Sequence, residues 1–216
     1  MNNVTLISTE HMESGKCNSD ELLKIVKSIE PEVIFEEEPN DDHYQSYYNN
    51  ENSFNSLEVK TIKRYKANHD IIHLPVDKLI NELVSVQILD ILTKKYRQNN
   101  NYIQFVKEHC SLRNKNGFNY LNSEKCLKIF KKMKLVEEQI LTESSFEKYN
   151  LKEFRNLFQQ ELDIREKVML QNIYRFSNSN KFQQAIFFLG YAHRESIMTK
   201  IVKREHNKQG SIKWTL

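Results

Sequence analysis

Two histidines in similar sequence contexts, one near each end of the chain, are the residues best suited to chemistry. The apolar run 187–189 leads into Gly190, and His193 follows three residues later. Near the other end, a second apolar run leads into Ser8, and His11 follows at the same spacing. Because such runs are typical of buried strands, both histidines are predicted to follow strands of one parallel sheet. Open α/β folds place ligands and catalysis at the carboxyl edge of that sheet.

Acidic residues are predicted at the same edge. A further strand leads into Glu36 and Glu37, another ends at Asp77, and Glu10 precedes His11. Since neighbouring residues of a strand point to opposite faces, only one of Glu36 and Glu37 is expected to serve the site. Two imidazoles with one or two carboxylates can bind Zn²⁺, Mn²⁺ or a related ion, which would activate a water molecule. The same groups could also act without a metal, with a histidine as base.

Structural roles compete with these chemical ones. A single histidine at a strand end more often satisfies a structural hydrogen bond, but the matched placement of two makes the odds about even. Asp77 could equally cap the helix that follows it. The other five histidines are treated as background: His43, His69, His73, His109 and His206.

The apolar pattern predicts an α/β fold, with a mostly parallel sheet of about four to six strands flanked by helices. The chain is expected to form a single domain over 1–216, with a central helical insertion at 78–177 that forms a cap or flank. Polar joints divide this insertion near 98–101, 111–119 and 142–145. The predicted strands are 4–8, 33–35, 71–76, 184–189 and an edge strand at 212–215, and the predicted helices outside the insertion are 19–29, 56–67 and 194–204.

Composition narrows the function. The chain has 216 residues, 39% of them hydrophobic, and a formal net charge of +3. This near balance argues against a dedicated nucleic-acid binder. Three cysteines without zinc spacing, no signal peptide and no 18-residue apolar run lead us to expect a cytoplasmic protein with no membrane span. A homo-oligomer is left open.

Taken together, these motifs resemble the TraB/Tiki superfamily, which includes GumN-like proteins and, more distantly, erythromycin esterases and ChaN-like haem-binding proteins. Its signature is a pair of G-x-x-H motifs. Gly190-Tyr191-Ala192-His193 is similar to the second, whereas Ser8-Thr9-Glu10-His11 departs from the first by its serine. The stretch 31–37 resembles the family's Pro-Asp-Val-Val-x-x-Glu and favours Glu37 as the functional acid. Asp163-Ile164-Arg165-Glu166 resembles the family's Glu-Arg-Asn/Asp helix and points to Arg165.

The resemblance implies a hydrolase, because Tiki members are metal-dependent peptidases and erythromycin esterases open lactones without a metal. The leading hypothesis is therefore a metal-dependent hydrolase of an amide or ester bond in a small-molecule or peptide substrate. His11, Glu37 and His193 would hold Mn, Co or Zn, with Glu36 or Glu10 as a spare carboxylate. Arg165 would stabilise an oxyanion or bind an acidic substrate group. The remaining predicted substrate contacts are Tyr191, Arg194 and Asp77.

Two other functions remain open. A non-catalytic module could bind a nucleotide or haem, with tyrosines of the segment 40–55 (Tyr44, Tyr47 and Tyr48) stacking on a base. This segment is expected to be a loop or short helix over the active edge. Alternatively, a toxin or defence effector could cleave phosphodiesters, with a basic helix face as its contact surface. That face comprises Lys125, Lys128, Lys131, Lys132 and Lys134.

Overall fold

A five-stranded, all-parallel sheet forms the centre of the molecule. The computed structural model describes residues 1–49, 56–79, 86–143, 148–206 and 212–216. The strand order is β3-β2-β4-β1-β5. This architecture confirms the predicted α/β class. The strands are β1 (Asn2–Thr9), β2 (Val33–Pro39), β3 (Ile72–Asp77), β4 (Gln184–Gly190) and β5 (Ile212–Thr215).

Helices occupy the connections between these strands. A single 3-10 turn, Tyr191–His193, separates the end of β4 from the helix that follows it. The helices are α1 (Ser19–Ile29), α2 (Asp42–Asn49), α3 (Leu57–Lys66), α4 (Val86–Tyr96), α5 (Asn100–Asn116), α6 (Phe118–Leu121), α7 (Glu124–Glu143), α8 (Lys148–Ser179) and α9 (Arg194–His206).

The central position of β4 explains its continuous apolar sequence. The strand lies between β2 and β1, and its residues alternate between two separate cores. Ile186 and Phe188 face one core, whereas Ala185, Phe187 and Leu189 face the other. Strands of a parallel sheet that are covered on both faces have no solvent side, so they contain no polar alternation.

Each face of the sheet carries its own layer of helices. The first core includes Leu22 and Val26 of α1, Ile62 of α3, and residues of α5, α6 and α7. The second includes Met169 of α8 and Ile197 of α9. The long helical insertion thus divides between the faces, since α4 to α7 and the start of α8 pack on the first core and the later part of α8 packs on the second.

Local sequence accounts for the ends of α1. The Asn18 side chain accepts a hydrogen bond from the Glu21 backbone N–H at 3.0 Å and caps the first turn. Pro31 follows directly after the last turn and prevents continuation, because it has no backbone N–H to donate. The predicted helix over 19–29 is confirmed.

The insertion differs in detail from its sequence prediction. Helix α5 continues through much of the predicted joint 111–119 and ends at Asn116, where Gly117, with a φ of +58°, caps its last turn. A side chain there would lie 2.6 Å from the Lys16 carbonyl oxygen, so close packing against the loop after β1 fixes the position of the break.

Parts of other predictions lie outside the described residues. The segment 40–55 does contain a short helix, α2, but residues 50–55 are not described. The helix predicted from Leu79 is seen as α4 from Val86 onward, with 80–85 outside the described part. No helix among the described residues is long and apolar enough to cross a lipid bilayer.

Candidate active site

Glu37 and His193 meet at the carboxyl edge of the sheet, as the sequence predicted. The Nε2 atom of His193 lies 3.1 Å from Oε1 of Glu37, and both side chains are more than nine-tenths buried. The second oxygen of Glu37 accepts a hydrogen bond from the Gly190 backbone N–H at 2.6 Å. Burial alone would raise the pKa of Glu37, but His193, Gly190 and Arg165 together lower it below its usual value.

A second carboxylate holds the other side of the His193 ring. Nδ1 lies 2.8 Å from Oε1 of Glu166 on α8. Because ionised carboxylates only accept hydrogen bonds, both ring nitrogens must be donors and the ring is an imidazolium. Burial opposes this charge, but Glu166 and Glu37 outweigh it and raise the pKa of His193 to about 9. Lys200 of α9 also donates to Glu166, at 2.7 Å.

The close approach of Glu37 favours glycine at position 190. A Cβ atom at this position would lie 3.1 Å from Oε2 of Glu37. Its backbone φ of −54° suits any residue, so the preference for glycine comes from this contact and not from the dihedral angle. The glycine of the second G-x-x-H motif therefore makes room for the carboxylate that binds the histidine.

Arg165 reaches the site from α8 and bridges two buried carboxylates. Its Nε donates to Oδ2 of Asp77 at 2.9 Å, and its Nη2 lies 3.2 Å from Oε1 of Glu37 and bonds Asp77 as well. The Asp77 side chain is 1% exposed. The Arg165 guanidinium and the Asp77 carboxylate are thus bound to groups inside the protein. The substrate-binding roles predicted for these two residues would require these contacts to break.

His11 is held differently from His193. Its side chain is 56% exposed, and Nδ1 lies 3.7 Å from Oε1 of Glu58, a buried residue in the first turn of α3. The Leu57 N–H donates to the His11 carbonyl oxygen at 3.0 Å and fixes the strand end over that helix. The Glu58 carboxylate raises the pKa of His11 to about 9, against the opposing effect of burial.

Two adjoining spaces open beside His11. One is a cavity of about 10 Å³, about the volume one water molecule needs. Its lining includes His11, Glu37, Glu38 and Glu58 but not His193. The other is a surface pocket of about 500 Å³ that shares His11 and Glu38 and adds Met12, Tyr47 and Val59.

Glu38 is a carboxyl group at this edge whose pKa lies near neutral pH. Burial, opposed by His11 and reinforced by the neighbouring glutamates, raises the pKa of Glu38 to about 7. It lines both spaces, so it can exchange a proton with a molecule in either of them. A carboxyl group with this pKa is half ionised near neutral pH and can act as a general base.

Glu36 points away from Glu37, as strand alternation predicted. Tyr44 and Tyr48 of α2 both donate to its carboxylate, and Nδ1 of His73 lies 3.0 Å from Oε1. Lys66 donates to the other ring nitrogen of His73, at 2.7 Å. Two of the tyrosines considered for base stacking thus bind a buried glutamate, and His73, treated as background, belongs to the same network.

The remaining predicted residues lie apart from the Glu37–His193 pair. Glu10 forms an ion pair with Arg113 of α5, in which Nη1 donates to both carboxylate oxygens. Tyr191 stacks on His109 with ring centroids 4.7 Å apart. His109, also treated as background, is buried, and burial lowers its pKa to about 4. Arg194 is buried and donates to Ser8 and Asn122.

The residues predicted to hold a metal do not fit an ion in this arrangement. Both nitrogens of His193 donate to carboxylates, so neither keeps the free lone pair that a metal ligand needs. Within the described ranges, no group of three or more His, Cys, Asp and Glu side chains is placed to hold a metal ion. The divalent ion remains a prediction from the sequence.

Sequence reasoning missed Glu38, Glu58 and Glu166. Glu166 adjoins Arg165 in the quoted motif, so its place in the helix was a usable signal. Glu58 lies 47 residues beyond His11 in an ordinary helix start, and no spacing rule connects the two. Glu38 was visible as part of the acidic triplet, but only the loop carrying His11 brings it to a pocket.

The fold and site define an α/β protein with an ionised His–Glu centre at the carboxyl edge of a parallel sheet. No protein-family model matches the chain, and no curated protein or solved structure matches it either. The resemblance to the TraB/Tiki superfamily therefore rests on the motifs quoted above and stays a prediction.

Proposed function

We propose that the protein is a hydrolase of an amide or ester bond, with its substrate in the 500 Å³ pocket beside His11. The observation that carries the proposal is the convergence of His11, Glu38 and Glu58 on one water-sized cavity that adjoins this pocket. Both carboxylate oxygens of Glu58 are buried, and its ion-pair partner is His11, whose Nδ1 lies 3.7 Å from Oε1. The cavity between these groups has room for one water molecule.

The chemistry follows from the charges of the two groups at the pocket. Glu38 as carboxylate takes a proton from the water, whose oxygen then attacks the substrate carbonyl carbon. His11 as imidazolium stabilises the oxyanion and donates a proton to the departing nitrogen or oxygen when the bond breaks. The products are a carboxylic acid and an amine or alcohol.

His193 and Glu37 have a supporting role in this proposal. Both are buried and fully hydrogen-bonded, so the ion pair fixes the end of β2 directly beside Glu38. Both N–H groups of the His193 ring donate to carboxylates and its pKa is raised, so the ring is a poor base near neutral pH. No step in the proposed reaction requires a metal ion.

The pocket walls indicate the kind of substrate. Met12, Tyr47 and Val59 provide apolar contacts, and Glu38 provides negative charge beside the positive charge of His11, whereas the charge of Glu10 is already paired with Arg113. Such a pocket favours a mainly apolar substrate without net charge near the bond to be cleaved. A small ester, or a peptide amide with apolar side chains, fits this description.

The test is hydrolysis of 4-nitrophenyl esters and peptidyl aminomethylcoumarin amides by wild type and by His11→Gln and Glu38→Gln. Each variant should lose about 100-fold or more in kcat/KM, the usual contribution of an acid or base. His69→Gln and Glu153→Gln are matched controls, since both residues are exposed and lie outside the two spaces. Hydrolysis that is equal in all five proteins would overturn the assignment. Saturable binding without turnover would favour the binding module.

A further inference from the structure

Arg194 is a buried guanidinium without a carboxylate partner. The residue is 4% exposed, and its Nη1 donates to Oγ of Ser8 at 3.2 Å and to Oδ1 of Asn122 at 2.9 Å. Both acceptors are neutral groups. Its Nε is buried and donates to no described residue, and Nη2 has no such acceptor either. The carboxylate of Glu124 attracts this guanidinium from beyond ion-pair distance, which compensates the buried charge only in part. A buried charge is costly unless an anion compensates it.

Four other arginines of the described chain are partly buried, and three of them pair with carboxylates, whereas the guanidinium of Arg204 lies 3.9 Å from the centre of the Tyr174 ring. Arg113 binds Glu10, Arg165 binds Asp77 and Glu37, and the guanidinium of Arg155 lies within 3.6 Å of Glu137. Arg194 differs from them because its neutral partners occupy one amino group and leave the opposite edge free. That edge, formed by Nε and Nη2, matches the two oxygens of a carboxylate through parallel hydrogen bonds.

A pocket of about 400 Å³ lies next to this guanidinium. Arg194 and Asn122 line it together with the apolar side chains of Leu6, Ile25, Ile29 and Phe118. Its lining shares no residue with the 500 Å³ pocket beside His11. The walls are thus mainly apolar with one cationic group, which suits an amphipathic anion.

We infer that this pocket binds a small organic carboxylate with an apolar body, whose head group pairs with the free edge of Arg194. The site is independent of the proposed hydrolase pocket. Carboxylate binding would compensate the buried charge and add contacts to the apolar walls. Phosphate would satisfy the charge but leave those walls unfilled.

The test measures binding to the full chain by calorimetry and thermal denaturation with three probes: octanoate, 1-octanol and inorganic phosphate. Octanoate should bind saturably and raise the melting temperature, and the other two should not. Arg194→Met should weaken octanoate binding at least tenfold. Lys131→Met, which removes an exposed charge on a neighbouring helix, should leave it unchanged.

A second variant separates loss of the ligand from loss of the fold. Asn119 is an exposed residue that lines the pocket, so Asn119→Trp should fill the space without disturbing the core and should also abolish octanoate binding. Octanoate that does not bind to wild type, or that binds equally to Arg194→Met, would overturn the inference. Equal binding of 1-octanol, or binding of phosphate in place of octanoate, would overturn the assignment of a carboxylate with an apolar body.

Discussion

Charged side chains at the carboxyl edge of the sheet form three neighbouring groups that differ in how fully their hydrogen bonds are satisfied. His193, Glu37 and Glu166 form a closed, buried ion cluster. Glu36 is satisfied by two tyrosines and His73. His11, Glu38 and Glu58 retain open space between them. Of these residues, His11 and Glu38 line both the small cavity and the 500 Å³ pocket, which is why the proposed chemistry is assigned to them.

At the residue scale, the proposal predicts a bell-shaped pH dependence of activity. Glu38 must be ionised and His11 protonated, so kcat/KM should rise with pH around 7 and fall with pH around 9. Glu58 raises the pKa of His11 and adds to the raised pKa of Glu38, so Glu58→Gln should move the alkaline limb to lower pH and move the acid limb in the same direction by less. The measurement is kcat/KM from pH 5 to 10 in wild type and variant. An alkaline limb that does not move would show that Glu58 does not tune His11.

At the element scale, polar contacts attach α8 to the sheet. Arg165 and Glu166 are neighbours in this helix, yet they reach different partners: Asp77 and Glu37 at the strand ends, and His193 after β4. The apolar contacts of Met169 and Ile173 continue the same attachment along the helix. Helix α8 therefore positions the buried ion cluster and closes the second face of the sheet.

Removal of Arg165 should damage this attachment severely. Arg165→Met would leave Asp77 and Glu37 buried without their guanidinium, and loss of one partner of a buried ion pair costs about 3–5 kcal/mol. Arg64→Met is the matched control. Arg64 binds Asp20 on the surface, and such pairs contribute up to about 1 kcal/mol. Chemical denaturation gives both free energies of unfolding. Equal losses in the two variants would contradict the structural role of Arg165.

The His193 cluster should make the free energy of unfolding depend on pH in the alkaline range. Since the folded protein raises the pKa of His193 from 6.5 to about 9, its stabilisation is complete below pH 6.5 and is lost as pH rises through 9. The shift corresponds to about 3 kcal/mol. Glu37 and Glu166, whose pKa values are lowered, act in the opposite direction: their stabilisation is present near neutrality and is lost in acid.

His193→Gln tests this dependence. The variant should be less stable than wild type at pH 6, and the difference should shrink as pH approaches 10, because wild type loses its imidazolium there. Free energies of unfolding at pH 6, 8 and 10 provide the measurement, with His69→Gln as a surface control. A difference that is constant with pH would contradict the charged state assigned to His193.

At the scale of the whole molecule, the two predicted halves of the metal site are assembled differently from each other. His11 lies on the loop after β1 above α3, whereas His193 is enclosed by β2 and α8. An ion held by both would require Glu37 and His193 to give up their mutual contact. The ligand set His11, Glu37 and His193 therefore remains a prediction from the sequence.

A metal titration distinguishes these arrangements. We expect Mn²⁺, Co²⁺ and Zn²⁺ to show no stoichiometric binding site that depends on His193. We also expect wild-type activity to survive dialysis against a chelator. Calorimetry and the ester assay are the measurements. A single site per chain that is lost in both His11→Gln and His193→Gln would instead establish the ligand set predicted from the sequence.

The amino-acid sequence by itself determined the α/β class, the strands and the edge that gathers the acidic residues. These follow from local periodicity: the run 184–189 can be buried on both sides only at the centre of a sheet. The alternation of Glu36 and Glu37 is equally local, because successive strand residues face opposite sides. The Arg165 position was visible from its motif, and its contact with Glu37 is present.

Tertiary structure alone decided which groups pair. Glu37 receives a hydrogen bond from a backbone group 153 residues away, and Glu58 lies beneath His11 because α3 begins at the loop after β1. Such pairs depend on strand register and helix placement, which no short sequence window contains. The same long-range packing leaves Arg194 buried without a carboxylate, although its sequence neighbours resemble those of any helix start. Periodicity is a property of consecutive residues, whereas the compensation of a buried charge is a property of the whole folded chain.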